Sequence, residues 1–166
     1  MDYTACARGN LFLFRKHCML WLVMRSVQSK TKNVVFARLF EGEELLETIT
    51  STALKNHINS GFFFLIGTLK KAVLGFYKEG KYIPKEIRGP LEIASCTGNI
   101  SIKENDELVV HGHIVVTDID CKAFGGHILE GCLVDATVEL VLVEAESSSL
   151  RRRLDPERNL FLWILE

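Results

Sequence analysis

The sequence predicts an α/β protein of the α+β type: a compact single domain in which an antiparallel or mixed β-sheet is covered by one main helix. Two patterns lead to this prediction. One segment carries apolar residues at helical spacing, and nearly everything after it has the pattern of strands. The length of 166 residues, with 48% hydrophobic and 25% charged residues, suits one domain with a hydrophobic core.

The helix is predicted over Glu43–Ile58, where apolar residues recur every three or four positions. Glutamates in its first turn favour the positive end of the helix dipole, and Asn59-Ser60-Gly61 is a helix-stop signal. The preceding segment Val34–Phe40 is rich in β-branched and aromatic residues, which predicts a strand.

The remaining strands follow from apolar runs separated by polar or glycine-containing segments. They are predicted at Phe62–Leu69, Ala72–Tyr77, Leu91–Thr97, Glu107–Thr117, Phe124–Val134, Ala136–Glu144 and Leu160–Leu165. Between them we expect a break at Lys70-Lys71, turns at Glu79–Lys81, Gly98-Asn99 and Asp118–Lys122, and a surface loop at Ser147–Ser149.

The N-terminal segment is treated separately, as an extension over residues 1–29 before a domain at 30–166. Its apolar residues 11–24 are interrupted by Arg15, Lys16 and His17, and neither part reaches the ~20 residues needed to span a bilayer. No signal peptide is recognisable. Met24 could be an alternative start, or the segment could pack as an extra element; the sequence favours neither reading.

Cysteine usage and charge narrow the function classes. The five cysteines are scattered without a C-x-x-C pair, which indicates reduced, mostly buried thiols and a cytoplasmic protein. The formal net charge of −1 gives no general attraction to nucleic acid or anionic lipid. A nucleophilic triad, a phosphate-binding loop and a dinucleotide fingerprint are all absent from the sequence.

Three of the five histidines fall within 17 residues, at His111, His113 and His127. Side chains two apart on a strand point to the same face, so His111 and His113 can converge. If the next hairpin turns about Asp120, His113 lies opposite His127, and directly opposed Cβ atoms are ~5 Å apart. Gly112 would let another group approach closely on the opposite face. A register slip of one residue would turn His127 away.

This spacing predicts a site for one divalent metal ion bound by His111, His113 and His127, with zinc as the default for imidazole ligands. The alternative is three separate histidines on a half-exposed sheet face. Three ligands leave an open coordination position for water, a small molecule or a partner's side chain. No catalytic residue can be assigned, although Glu92 and Glu130 are candidate general bases or solvated residues. His17 and His57 show no comparable pattern.

Several motifs in order resemble the PPC domain, the plants-and-prokaryotes conserved domain. They are VVFARLFEGEELLETI, GPLEIASCTGNI, HGHIVVTDIDCKAFGGHILEGC and RRRLDPERNLFLW, and they span about Val34 to Trp163. The resemblance implies a PPC-like fold that assembles into a homotrimer. Prokaryotic members carry H-x-H and G-G-H as metal ligands, which implies the same role for the three histidines.

The same resemblance brings a DNA-binding expectation, because plant relatives join this domain to an AT-hook. The AT-hook's R-G-R-P core is absent here. The only basic run, Arg151–Arg153, lies near Asp155 and Glu157 and is expected to be solvated or ion-paired.

Three functions follow as expectations. The first is a homotrimeric metal-binding protein with a structural or regulatory role. The second is a metal-dependent enzyme acting on a small molecule, and the third is a DNA-binding, transcription-associated module. The apolar segments Phe62–Phe64 and Phe161–Ile164 exceed what one sheet face needs, which suits either a subunit interface or strands buried on both sides.

Overall fold

The computed structural model describes residues 25–146 and 150–165. Eight strands form one mixed sheet, and the only helix of the described residues lies after the first strand. The elements are β1 (Thr31–Phe40), α1 (Leu45–Lys55), β2 (Gly61–Lys78), β3 (Lys81–Lys103), β4 (Leu108–Thr117), β5 (Ala123–Ile128), β6 (Leu133–Ala145), β7 (Arg151–Asp155) and β8 (Leu160–Ile164). The α+β prediction is therefore confirmed, with a shorter helix than expected.

The sheet is antiparallel throughout except where β3 pairs with β7 in parallel. Its central feature is a ring of four strands: β2 pairs with β3, β3 with β4, β4 with β5, and β5 returns to β2. Strand β6 pairs with the first half of β2 and carries β1 on its other edge. Strands β7 and β8 extend the sheet beyond β3.

Helix α1 covers part of one sheet face with the apolar side chains of Leu45, Ile49 and Ala53, all of which are fully buried. Glu44 caps the helix by accepting a hydrogen bond from the Glu47 amide. Its other carboxylate oxygen accepts from the amides of Gly131 and Cys132, so the cap also fixes the helix to the turn before β6. Asn56 ends the helix, two residues before the predicted boundary at Ile58.

Three predicted features of the strand pattern are wrong: a break, a turn and the length of one strand. The expected break at Lys70-Lys71 is only a shift of register inside the continuous strand β2. The expected turn at Gly98-Asn99 lies in the middle of β3, which is 23 residues long. Phe124–Val134 is two strands, because Gly131 adopts a φ of +101° in the turn that separates β5 from β6.

The sequence predicts a turn at Gly98, but in the structure this residue lies within a strand and makes room for a packed side chain. It pairs with Gly112 on β4, and the Phe63 ring lies against both glycines on the core face. A Cβ built on Gly98 would be 2.4 Å from both the His111 carbonyl oxygen and the Phe63 ring, and one on Gly112 would be 2.9 Å from that ring. The two glycines therefore make the space that Phe63 fills.

The turn at Asp118–Lys122 is confirmed, with the Asp118 amide donating to the Lys122 carbonyl. The turn at Glu79–Lys81 is confirmed as well, since Lys78 pairs with Lys81 across it. Residues 1–24 of the extension predicted at 1–29 lie outside the described residues, as does the predicted loop Ser147–Ser149. No helix in the described part of the chain is long and apolar enough to cross a membrane.

We predict that Gly98→Ala lowers the free energy of unfolding by about 1–3 kcal/mol, because the added methyl overpacks the space that Phe63 occupies. Urea unfolding followed by circular dichroism measures the change. Gly125→Ala is the matched control, since its Cβ would first meet a Val115 methyl at 3.3 Å. Equal losses in the two variants would contradict the assigned role of Gly98.

Candidate metal centre

The three predicted histidines meet on the sheet face opposite the core. His113 on β4 pairs directly with His127 on β5, which confirms the predicted register about Asp120. His111 and His113 flank Gly112 and point to the same side, as strand alternation requires. The prediction that Gly112 admits close approach is confirmed as well, and the group that approaches is Phe63.

The imidazole rings form a triangle. Their centroids lie 5.5 Å apart for His111 and His113, 5.1 Å for His111 and His127, and 5.4 Å for His113 and His127. One ring nitrogen from each residue lies within 4.8 Å of the others. His113 is exposed and the other two are half-buried, so the cluster opens to solvent on one side.

One buried nitrogen atom of the cluster lacks a hydrogen-bond partner in the described part of the chain. Nδ1 of His127 is buried and has no hydrogen-bond partner among the described residues. A buried polar atom without a partner costs about 1–3 kcal/mol, so native proteins rarely leave one. A metal ion bound at this nitrogen would satisfy it, and nitrogen ligands suit zinc and its neighbours among the transition metals. The residues therefore fit a bound metal.

The surroundings keep two of the imidazoles neutral. Burial, with smaller electrostatic contributions from Arg152 and His113, lowers the pKa of His111 to about 4. Burial also lowers the pKa of His127 to about 4, with further contributions from His111, His113 and Arg152. Since a metal binds the unprotonated nitrogen, both residues are ready to bind one at neutral pH.

The Tyr82 ring on β3 packs against the face of the His127 ring. The two rings are stacked, with centroids 4.2 Å apart and an interplanar angle of 12°. Gly75 on β2 makes room for this stack, because a Cβ there would be 2.9 Å from the Tyr82 ring. Burial raises the pKa of Tyr82 above its ordinary value, so its hydroxyl stays protonated at neutral pH.

Arg152 on β7 lies beside His111 and corrects the expectation for the basic run. Its neighbours Arg151 and Arg153 are ion-paired, as predicted, but with Asp106 and Glu104 rather than with the adjacent acidic residues. Arg152 instead turns inward and is 7% exposed. Its Nη2 lies 3.3 Å from Nδ1 of His111 and donates to the Asn99 side-chain oxygen at 2.8 Å.

Sequence reasoning missed Tyr82, Asn99 and Arg152. The sequence predicts a turn at Asn99. Tyr82 comes near the histidines only through pairing between distant parts of the chain. The signal for Arg152 was available: in a strand, the middle residue of three consecutive arginines points to the opposite face from the other two. The structure does not bring the candidate bases Glu92 and Glu130 into the cluster. Both side chains are exposed, and among the described residues the cluster consists of histidines alone.

The cysteines among the described residues take no part in this cluster. Cys96 and Cys132 are free and buried, and burial raises their pKa values to about 12 and about 11, so they are thiols at neutral pH. Cys121 is free and exposed in the turn between β4 and β5, and His57 is exposed after α1. Cys6, Cys18 and His17 lie outside the described residues.

Residues 26–146 match the Plants and Prokaryotes Conserved domain, abbreviated PCC or PPC. The chain belongs to this family. The PPC match covers the whole histidine cluster and ends before Arg152. The sequence resemblance stated above is therefore confirmed.

Solved PPC-like structures superpose closely on this chain. A metal-containing protein from Archaeoglobus fulgidus is 27% identical, with a TM-score of 0.77 over 85% of this chain and 99% of that one. A plant- and prokaryote-conserved (PPC) protein from Pyrococcus horikoshii is 30% identical, with a TM-score of 0.77 over 85% and 97%. A protein from Ralstonia eutropha, described as a candidate DNA-binding protein, is 32% identical, with a TM-score of 0.70 over 79% and 90%.

A curated relative carries a similar segment within a much longer chain. The bifunctional protein GlmU of Synechococcus sp. (strain JA-2-3B'a(2-13)) is 30% identical over 121 residues, which is 72% of this chain. The match spans only 18% of that protein's length.

We predict that the metal-free protein loses stability as the pH falls from about 6.5 to about 4. Over this range the unfolded chain takes up protons on His111 and His127, whereas the folded chain does so only near pH 4. Urea unfolding at several pH values, in the presence of a chelator, measures the slope. His127→Asn is expected to show a smaller slope than the wild type; identical slopes in the two proteins would contradict the assignment.

Proposed function

We propose that the chain is a homotrimeric metal-binding PPC-domain protein, in which His111, His113 and His127 of each subunit bind one divalent metal ion. The observation that carries the proposal is the buried, partnerless Nδ1 of His127 beside two further imidazoles. The metal-containing relative from Archaeoglobus fulgidus supports it. Zinc is the preferred ion, because three imidazoles match its usual ligands.

When bound, the metal would act as a Lewis acid with one coordination position left open. The chain's own residues set that position. The half-buried His111 and His127 form the inner side of the cluster, Tyr82 packs against His127, and the exposed His113 faces solvent. A structural or regulatory role is the function that this arrangement supports best, since no carboxylate among the described residues belongs to the cluster.

A metal-dependent enzyme acting on a small molecule is the second candidate. A surface cavity of about 600 Å³ adjoins the open side of the cluster, and Asn99, His111, His113 and Trp163 are among the residues that line it. Such a cavity is large enough for a small ligand. Direct DNA binding has less support, because Arg151 and Arg153 are ion-paired and Arg152 is buried.

The trimer is supported by an apolar face that the single chain leaves exposed. Phe36 on β1 and Phe64 on β2 flank Val141 of β6 in one row, and Val34 and Phe62 flank Val143 in the next. Phe36 is 79% exposed. Aromatic side chains clustered on an exposed surface mark a protein interface. We call the exposed residues of this surface the aromatic face: Val34, Phe36, Phe40, Phe62, Phe64 and Ile66.

The aromatic face runs directly into the metal centre. Phe62 pairs with Asn99, which pairs with His111, and Phe64 pairs with Thr97, which pairs with His113. Residues paired across neighbouring strands point to the same side of a sheet. A neighbouring subunit on the aromatic face would therefore approach the open coordination position.

We predict that purified wild-type protein binds one divalent ion per chain and that His127→Asn binds less than a tenth as much, because two imidazoles hold zinc far more weakly than three. Elemental analysis and competition with a chromophoric chelator measure the stoichiometry and the affinity. His57→Asn is the matched control, since His57 is exposed and has a φ of +56° that asparagine tolerates. Equal metal content in wild type and His127→Asn, or none in either, would exclude the assigned site.

We predict that Phe36→Glu converts the trimer to monomers, because the charge would be buried unpaired between subunits. Sedimentation equilibrium should give the mass of three chains for the wild type and of one chain for the variant. Leu54→Glu, at an exposed leucine on the helix side, should remain trimeric. A monomeric wild type, or a trimeric Phe36→Glu, would contradict this interface.

A further inference from the structure

Arg152 is a buried cation whose hydrogen bonds all go to neutral groups. Nε donates to the Ser101 hydroxyl at 2.7 Å, Nη1 to the Phe161 carbonyl at 2.7 Å, and Nη2 to the Asn99 amide oxygen at 2.8 Å. The centroid of the Trp163 ring lies 5.5 Å from the guanidinium carbon. No carboxylate among the described residues contacts this guanidinium.

This environment differs from that of the adjacent arginines. Arg151 and Arg153 lie at the surface, and each has a carboxylate partner. Arg152 is 7% exposed and keeps its charge without one. A buried charge without a counter-charge is costly, and native proteins rarely retain one that has no ligand or structural role.

The remaining contact of Arg152 connects it to the metal centre. Nη2 lies 3.3 Å from Nδ1 of His111. A guanidinium can only donate, so this Nδ1 is the acceptor nitrogen of a neutral imidazole. A neutral imidazole has a single lone pair in the ring plane, and a bound metal would use it on whichever ring nitrogen it contacts. Metal binding would therefore remove the acceptor and leave an Arg152 N–H beside the metal without a partner.

Charge counting then indicates what completes the site. Three neutral imidazoles and a divalent ion carry a charge of +2, and Arg152 adds one more. The metal retains an open position, and Arg152 retains donors on the same side of the sheet, since Asn99 and His111 are paired neighbours. The excess positive charge favours an anionic ligand, and two acceptor oxygens would let it meet the metal and the arginine together.

We propose that this site binds a small oxyanion, of the carboxylate or phosphate class, held jointly by Arg152 and by the metal ion. The inference rests on the proposed metal-binding function and names the ligand class of the same site. Planar guanidinium groups match such oxyanions well. The adjoining cavity, which Asn99, His111 and Trp163 help to line, gives the anion access to both groups.

The test uses the full chain loaded with Co²⁺, whose visible absorption reports changes in metal coordination. Acetate and inorganic phosphate are titrated separately, with acetamide as the neutral analogue of acetate. Isothermal titration calorimetry on the zinc-loaded protein gives the affinities. We expect a spectral change with at least one of the two anions and none with acetamide.

The decisive variant is Arg152→Gln, for which we expect at least tenfold weaker anion binding. Arg151→Gln is the matched control in the same basic run and should stay within twofold of the wild type. Arg152→Lys keeps the charge without the planar group and should lie between the two. It also provides the comparison if Arg152→Gln does not fold, which thermal unfolding would reveal.

Metal content and anion response separately test the proposed metal-binding function and the oxyanion site. Stoichiometric metal without any response to acetate or phosphate would overturn the oxyanion site alone. Equal anion affinity in wild type and Arg152→Gln, or acetamide binding as tightly as acetate, would do the same. Absence of metal uptake by the wild type would overturn the proposed function, and the oxyanion site with it.

Discussion

The contact of the Phe63 ring with Gly98 and Gly112 is the interaction on which the site depends. Phe63 is 1% exposed and fills the space left by two glycines that are paired on β3 and β4. Side chains at either glycine would force these strands away from the core. Because Gly112 lies between His111 and His113, the packing that holds β4 on the core also fixes the two imidazoles on the opposite face.

The third histidine, His127, is positioned by the closed ring of four paired strands, β2 to β5. Strand β5 has only six residues, yet it pairs with β4 through His113 and with β2 through Gly75. His127 takes part in both pairings, so its position is determined from two sides. Tyr82 then packs against its ring above Gly75. A short strand thus carries a well-positioned side chain because two longer strands enclose it.

Local patterns predicted the parts of the site that are local in sequence. The H-x-H spacing and a tight turn about Asp120 sufficed for the register of β4 and β5. The long strands are harder to predict, because Gly98 and Lys70-Lys71 have the composition of turns. Pairing with a strand on each side keeps Gly98 and Lys71 extended. Tyr82 and Asn99 reach the histidines through these long-range pairings, which no local pattern contains. Whether a metal occupies the cluster is a matter of affinity, and sequence spacing gives only its ligands.

The arginine run shows how strand alternation separates residues that look equivalent in sequence. Arg151 and Arg153 point outward to Asp106 and Glu104, where solvent weakens each ion pair to about 0–1 kcal/mol. Arg152 points inward to Asn99 and Ser101, where low polarity strengthens its field. That field helps to keep His111 and His127 unprotonated and therefore able to bind a metal. One strand register thus removes the middle arginine from any basic surface and places its charge where it acts on the histidines.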